Sequence, residues 1–420
     1  MTGPWAARAA QLDAADPLAA FRGRFLPSPD VVAYLDGNSL GRPPADTTER
    51  LDRFVREAWG GGLIRGWTGD GPRGARQEGP WMEWPERVGD RIAAVALGAA
   101  PGQTVVADST TVLLYKLARA AVDAAGPGRR EIVFDDEDFP TDRYVLEGIA
   151  AERGCVLRPV SGTAPDRIAG AVGPDTALVL LSHVSYHSGT RAEAATITRI
   201  AHDAGALVLW DLCHSVGVLP VELDAWDVDL AVGCTYKYLC GGPGSPAFGY
   251  VRRGLQEVLR QPVQGWMGRR DPFTMGPGYV PAPGVRAVVS GTPPILAMVP
   301  LLAGLELLEE AGLPAVRAKS DALTGFAIEL VDAWLAPQGV QLATPRDADR
   351  RGGHVMLRRP GFQQVLPLLW ERGVIPDFRE PDGLRIGLSP LSTSFAEVHD
   401  GLGVLRELLD PALTAARTAG

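Results

Sequence analysis

ALVLWDLCHSVGVLPVELDAWDVDLAVGCTYKYLCGGPGSPAFG, residues 206–249, decides the fold. Two apolar runs of strand length lead to charged residues: LVLW (207–210) runs into Asp211, and DLAVGCT (229–235) leads to Lys237. As parallel strands, they release carboxylate and amine at one sheet edge, where α/β folds bind ligands. That pair suits pyridoxal phosphate: the amine condenses with the aldehyde and the carboxylate keeps the pyridine nitrogen protonated. The ordinary alternatives are a lysine stem lying along the surface with its ammonium in water and an aspartate capping the next helix. His214, three residues past Asp211, and the turn GGPG after the lysine favour the cofactor.

Outward from this stretch, apolar runs alternate with helical patterns. Strands are expected at 104–107, 131–134, 177–181, 206–210, 229–234 and 247–251, separated by amphipathic segments such as TVLLYKLARAAVDAA and AATITRIAHDAG. Alternation of this kind predicts an α/β fold, a mostly parallel sheet covered by helices on both faces. Near residue 290, GTPP punctuates the chain before two long helical segments. HVMLRR and LRIGLS then flank a helical QQVLPLLWERG, the pattern of a smaller α+β C-terminal domain. The expected division is an N-terminal segment 1–45 packing with the small domain, a large cofactor-binding domain 46–300 and a small domain 301–420. Segments 59–84 and 267–284 read as loops, long enough to be functional.

Composition sets the bounds. With 420 residues, 46% hydrophobic and 22% charged, the chain can bury a large core. A net charge of −9 gives no electrostatic reason for nucleic acid or an anionic membrane as partner. Asp13 and Asp16 interrupt the stretch where a secretory signal needs an unbroken apolar run. The most apolar segment, 295–308, contains Pro300 and is too short to span a bilayer, so it reads as a buried helix. Four cysteines (155, 213, 234, 240) lack metal-type spacing, and no metal is expected. Reduced thiols in a cytoplasmic protein are the simplest account.

Further chemistry lies upstream. Asp108 and Ser109 stand as N-caps before an apolar-periodic helix, whose free N–H groups and positive dipole end suit a phosphate, with hydroxyls from Thr110 and Thr111. Phe139, on a turn stiffened by Pro140, offers an aromatic face for a pyridine ring, and Asp142 a polar contact. Each signal is weak alone: such helix starts usually only cap, and such turns usually only plug.

Together the residues resemble a family. YLDGNSLGRPP (34–44), DFPTDRY (138–144), SHVSYHSG (182–189), DLCHSVGVLPVEL (211–223), DVDLAVGCTYKYLCGGPGSPAFGYV (227–251) and GTPPI (291–295) resemble kynureninase, a fold-type-I pyridoxal-phosphate enzyme. The ordered matches run from about residue 30 to 395. The resemblance implies hydrolysis of L-kynurenine or its 3-hydroxy form to L-alanine and an anthranilate, in tryptophan catabolism and NAD biosynthesis. It makes Lys237 the cofactor lysine and the base at Cα, Asp211 the partner of the ring nitrogen and Tyr236 an acid or phosphate ligand. Thr110, Thr111, Phe139, Asp142, Ser182, His214, Trp266 and Thr292 become cofactor contacts. It also implies a cytoplasmic homodimer with sites at the interface, Trp266 and Thr292 serving the partner's cofactor. Arg385 falls at the substrate-carboxylate position, where a bidentate arginine is expected, although alone it reads as a surface-strand residue. Trp67, Trp81, Trp84 and His187 are candidate aryl contacts.

Departures are Cys240 where many relatives carry asparagine, Leu391 and Ser392 where an aromatic commonly follows, and SYHSG in place of an NYRTG-like form. They leave a substituted kynurenine, or another fold-type-I lyase reaction, as the alternative. A desulfurase needs a nucleophilic cysteine well beyond the lysine, and none follows Cys240.

Overall fold

The computed structural model describes residues 3–69 and 79–410. The middle of the expected 59–84 loop and the last ten residues assigned to the small domain lie outside them. Around the gap, 59–84 is less loop-like than its composition implies: helical turns occupy Phe54–Trp59, Leu63–Trp67 and Trp81–Glu83.

A short strand, β1 (Ala33–Tyr34), precedes the main sheet. That sheet comprises β2 (Thr104–Ala107), β3 (Glu131–Asp135), β4 (Val156–Val160), β5 (Thr176–Ser182), β6 (Leu207–Asp211), β7 (Leu230–Gly233) and β8 (Ala247–Val251), in the order β2-β8-β7-β6-β5-β3-β4. β8 runs antiparallel to both neighbours, and every other pairing is parallel. Side chains alternate between two cores: Val179, Leu181, Val208 and Trp210 enter one, Leu178, Leu180 and Leu209 the other. Burial on both faces is why these strands read as unbroken apolar runs. Edge strand β4, VLRPV, is mostly exposed and tolerates Pro159, so it escaped the apolar pattern.

The helix Ile295–Ala311 runs unbroken through Pro300 and past the boundary placed at residue 300, with Met298, Leu301 and Leu305 in the first core. Side chains pass to a third core by Leu323 on the next helix, Leu313–Leu330. That core underlies an antiparallel sheet of order β12-β13-β10-β9. Its strands are β9 (Gln341–Leu342), β10 (His354–Arg358), β12 (Asp377–Arg379) and β13 (Gly383–Gly387). Between them β11 (Val374–Ile375) pairs in parallel with β1.

The N-terminal helix Pro4–Ala15 lies on the helix Phe395–Leu409. Asp13 accepts the N–H groups of Phe395 (3.1 Å) and Ala396 (3.0 Å), and Asp16 pairs with buried Lys319 at 2.8 Å. After β1 the chain crosses back: Gly41 N–H donates to the Tyr236 carbonyl at 2.8 Å, and a Cβ at Gly41 would stand 2.3 Å from the Lys237 carbonyl oxygen. Only glycine fits there, so the DGNSLG segment laces the small domain to the lysine loop.

Candidate active site

Parallel register sets Ser182 beside Asp211, at the ends of β5 and β6, while Lys237 follows the end of adjacent β7. The chain has three lysines, 116, 237 and 319. Lys116 pairs with Asp108 and Lys319 with Asp16, whereas Lys237, among the described residues, pairs with no carboxylate. Its Nζ instead lies 2.9 Å from His214 Nε2. Burial and the nearby Lys237 charge push the His214 imidazole well below its usual range, so it is neutral.

Asp211 is 6% exposed and accepts the Cys213 N–H at 2.6 Å. Behind it, fully buried Asp142 shares a hydrogen bond with it; burial, then the Asp211 charge, raise the Asp142 carboxyl well above the carboxylate range. Neither has an ion pair among the described residues, and Asp142 Oδ2 has no partner. Two facing buried carboxyls lacking a cation are what a protonated pyridine nitrogen would complete. Pyridoxal phosphate therefore fits these residues.

Phe139, at the start of the helix Pro140–Arg153, is 41% exposed and edge-on to Tyr186 at 5.4 Å. Around the helix start at Thr110, the expected capping is corrected. Ser109 occupies the cap position without a side-chain cap bond, and Asp108, at φ 47°, turns its carboxylate to Lys116 Nζ at 2.5 Å. The open N–H groups of this first turn are left for a phosphate. Thr110 accepts from the Cys213 thiol at 3.9 Å, and Thr111 is exposed. Ser109, Tyr236 and Thr292 line one cleft of about 470 Å³. Tyr236 is held above the usual phenol range by burial and then by Cys234, and keeps its proton at neutral pH. Trp266, 40% exposed, packs edge-on to Phe273 at 6.1 Å.

Arg385 is no surface residue: β13 is covered throughout and the side chain is 1% exposed. Its Nη1 donates to the Tyr186 carbonyl (2.9 Å) and its Nη2 to Ser39 Oγ (2.5 Å) and Asp377 (2.7 Å). With the Asn38 amide turned so that its oxygen faces the guanidinium, Nε donates to it at 3.1 Å. Four of five N–H donors are thus committed, so the expected bidentate grip on a carboxylate requires one contact to yield. Trp81 and Trp84 are also corrected. Both are buried in the large core, with Trp67 edge-on to Trp81 at 5.5 Å, so this trio packs against itself and Phe54. His187, half-buried beside Tyr186, stays near Arg385.

Asp36, Asn38, Ser39, Asp377, Asp138 and His354 were not singled out from the sequence; DGNSLG alone carried a signal for the first three. Cys240 sits at φ 55°, a left-handed position that asparagine tolerates better than cysteine. All four cysteines are free thiols, Cys155 half-buried. No group of three metal-ligating side chains and no helix able to cross a membrane occurs among the described residues.

Across 404 residues the chain is 41% identical to a kynureninase of Pseudomonas fluorescens, covering 95% of this chain and 94% of that one. The chain belongs to the kynureninase family. A kynureninase of Burkholderia pseudomallei is 40% identical over the same shares, and the family description "Kynureninase C-terminal domain" matches residues 316–405. The fold is shared more widely. A cysteine desulfurase of Escherichia coli superposes with a TM-score of 0.77 at 18% identity, covering 93% of this chain and 98% of that one. Another, from Thermococcus onnurineus, gives 0.75 at 20%, covering 90% and 94%. These place the kynureninase family member in fold type I.

Proposed function

We propose that the protein is a pyridoxal-phosphate-dependent kynureninase that hydrolyses the Cβ–Cγ bond of L-kynurenine, or its 3-hydroxy form, to L-alanine and the anthranilate. The observation that carries this reading is Lys237, the one lysine without a carboxylate partner among the described residues, set against neutral His214 and near the buried Asp211–Asp142 pair. When bound, the cofactor supplies an aldehyde for the substrate amine and an electron sink for bonds broken at Cα and Cβ.

The chain's own residues do the rest. Asp211 would hold the protonated ring nitrogen of the bound cofactor, and the exposed face of Phe139 would be available to its ring. The Lys237 amine takes the proton from Cα and returns one, and His214 holds that amine in place between transfers. Tyr236, protonated at neutral pH, donates a proton to the three-carbon fragment after the aryl acid leaves. Arg385 binds the substrate carboxylate, exchanging a contact with Ser39 or Asp377 for it.

A homodimer with sites at the interface is part of the proposal. Exposed Trp266, Phe273 and Met275 favour a second copy covering that segment. Cytoplasmic tryptophan catabolism is the role that follows. The test is incubation of cofactor-loaded protein with L-kynurenine and with 3-hydroxy-L-kynurenine, following alanine and aryl acid. Equimolar products from either support the reading, and absence of both from each substrate rejects it.

A further inference from the structure

His354 lies on β10 in the small-domain sheet, on the same face as Arg385, and is 0% exposed. Neither ring nitrogen has a hydrogen-bond partner among the described residues. An imidazole buried in that state costs the desolvation of two polar groups. Its ring centre stands 5.5 Å from that of His214, whose Nδ1 also lacks a partner. The rings are tilted 61° to each other without a hydrogen bond between them, so a contact between His214 Nδ1 and His354 needs the His354 ring to turn. Gly189, where a Cβ would come within 3.2 Å of His354 Nε2, and Gly387, paired with His354 across the ladder, leave it room.

The tautomers follow from donor counting. A lysine ammonium has N–H donors and no acceptor, so the 2.9 Å contact requires His214 Nε2 to accept. A neutral His214 then carries its one proton on Nδ1, and that buried N–H needs an acceptor. His354 supplies one. Burial, and then the nearby Arg385, Lys237 and Arg379 charges, keep it neutral, with one bare nitrogen.

We propose that His354 is a positioning residue that fixes the Nδ1–H tautomer of His214 and so aims the bare Nε2 at the Lys237 amine. Without it, His214 is free to place its proton on Nε2, facing the Lys237 ammonium donor to donor. The proposal rests on reading Lys237 as the working amine of the site.

The test is nitrogen-15 spectroscopy of the apoprotein labelled at its six histidines, with His214 assigned by signal loss in His214→Gln. The wild type is expected to show His214 protonated at Nδ1 and bare at Nε2. His354→Phe is expected to abolish that preference, and His354→Gln, whose amide oxygen accepts, to restore it. In the loaded enzyme, His354→Phe lowers kcat roughly tenfold with KM little changed, the worth of about one hydrogen bond, and His354→Gln recovers most of it. An Nε2–H tautomer in the wild type overturns the inference, as does an unchanged His214 signal in a folded His354→Phe protein. Should the phenylalanine variant not fold, the wild-type tautomer and the glutamine variant decide. Expected tautomers in a protein that yields no alanine refute the reaction and leave this inference standing.

Discussion

Replacing Asp138 by asparagine should make stability less dependent on pH. Asp138 is 7% exposed; its Oδ2 accepts the Ser182 N–H at 2.9 Å and its Oδ1 has no partner. Burial, then the Asp135 charge, push its carboxyl up to about 8. The folded state therefore holds this proton more tightly than the unfolded chain, which releases it near pH 4. Its stabilising contribution is complete below that unfolded value and is lost as pH rises through about 8. Each unit of separation is worth about 1.4 kcal/mol, so a shift of about four units sets a ceiling of roughly 5 kcal/mol. Asparagine mimics the protonated acid at every pH. Thermal melts of the two apoproteins from pH 4 to 9 should nearly coincide at the acid end, diverge in favour of Asp138→Asn up to pH 8, and run parallel above it. A difference independent of pH, or a variant less stable at pH 9, refutes the reasoning.

Three further outcomes are expected. Arg385→Lys replaces a planar fork with a point charge, and the loss of about one charge-assisted bond should raise KM for kynurenine roughly 10- to 100-fold in steady-state assays; an unchanged KM removes Arg385 from the carboxylate site. Asp16→Ala strands Lys319, 3% exposed, without its partner and should destabilise the fold by about 3–5 kcal/mol, seen as a lower melting temperature. Cys240→Asn relieves a left-handed cysteine and should add about 1 kcal/mol; a lower melting temperature shows that packing against Gly41 outweighs backbone strain.

What was legible in the sequence followed from burial. Strands covered on both faces announce themselves as apolar runs, so the Asp211 and Lys237 edge was visible before any coordinates. β4 was not, because an edge strand buries too little to show a pattern. By itself Arg385 reads as a surface residue for a related reason: the strand GLRIG places its arginine where an outward residue belongs, and long-range contacts with Ser39 and Tyr186 help cover it. Asp138 ends the acidic run DDED, whose pattern carries no burial signal, and a backbone contact from Ser182 marks it as interior. The tryptophans read as loop residues until helical turns on either side folded them into the core. Long-range contacts, invisible to spacing, account for each miss. The desulfurase-like superposition likewise reports the fold and not the chemistry.

The most direct test is borohydride reduction of the cofactor-loaded protein followed by peptide mass spectrometry. With only three lysines in the chain, the outcome is unambiguous. The account predicts the pyridoxyl mass on Lys237 alone, and its absence in Lys237→Ala together with loss of alanine release from kynurenine. Label on Lys116 or Lys319, or alanine release undiminished in Lys237→Ala, would contradict it.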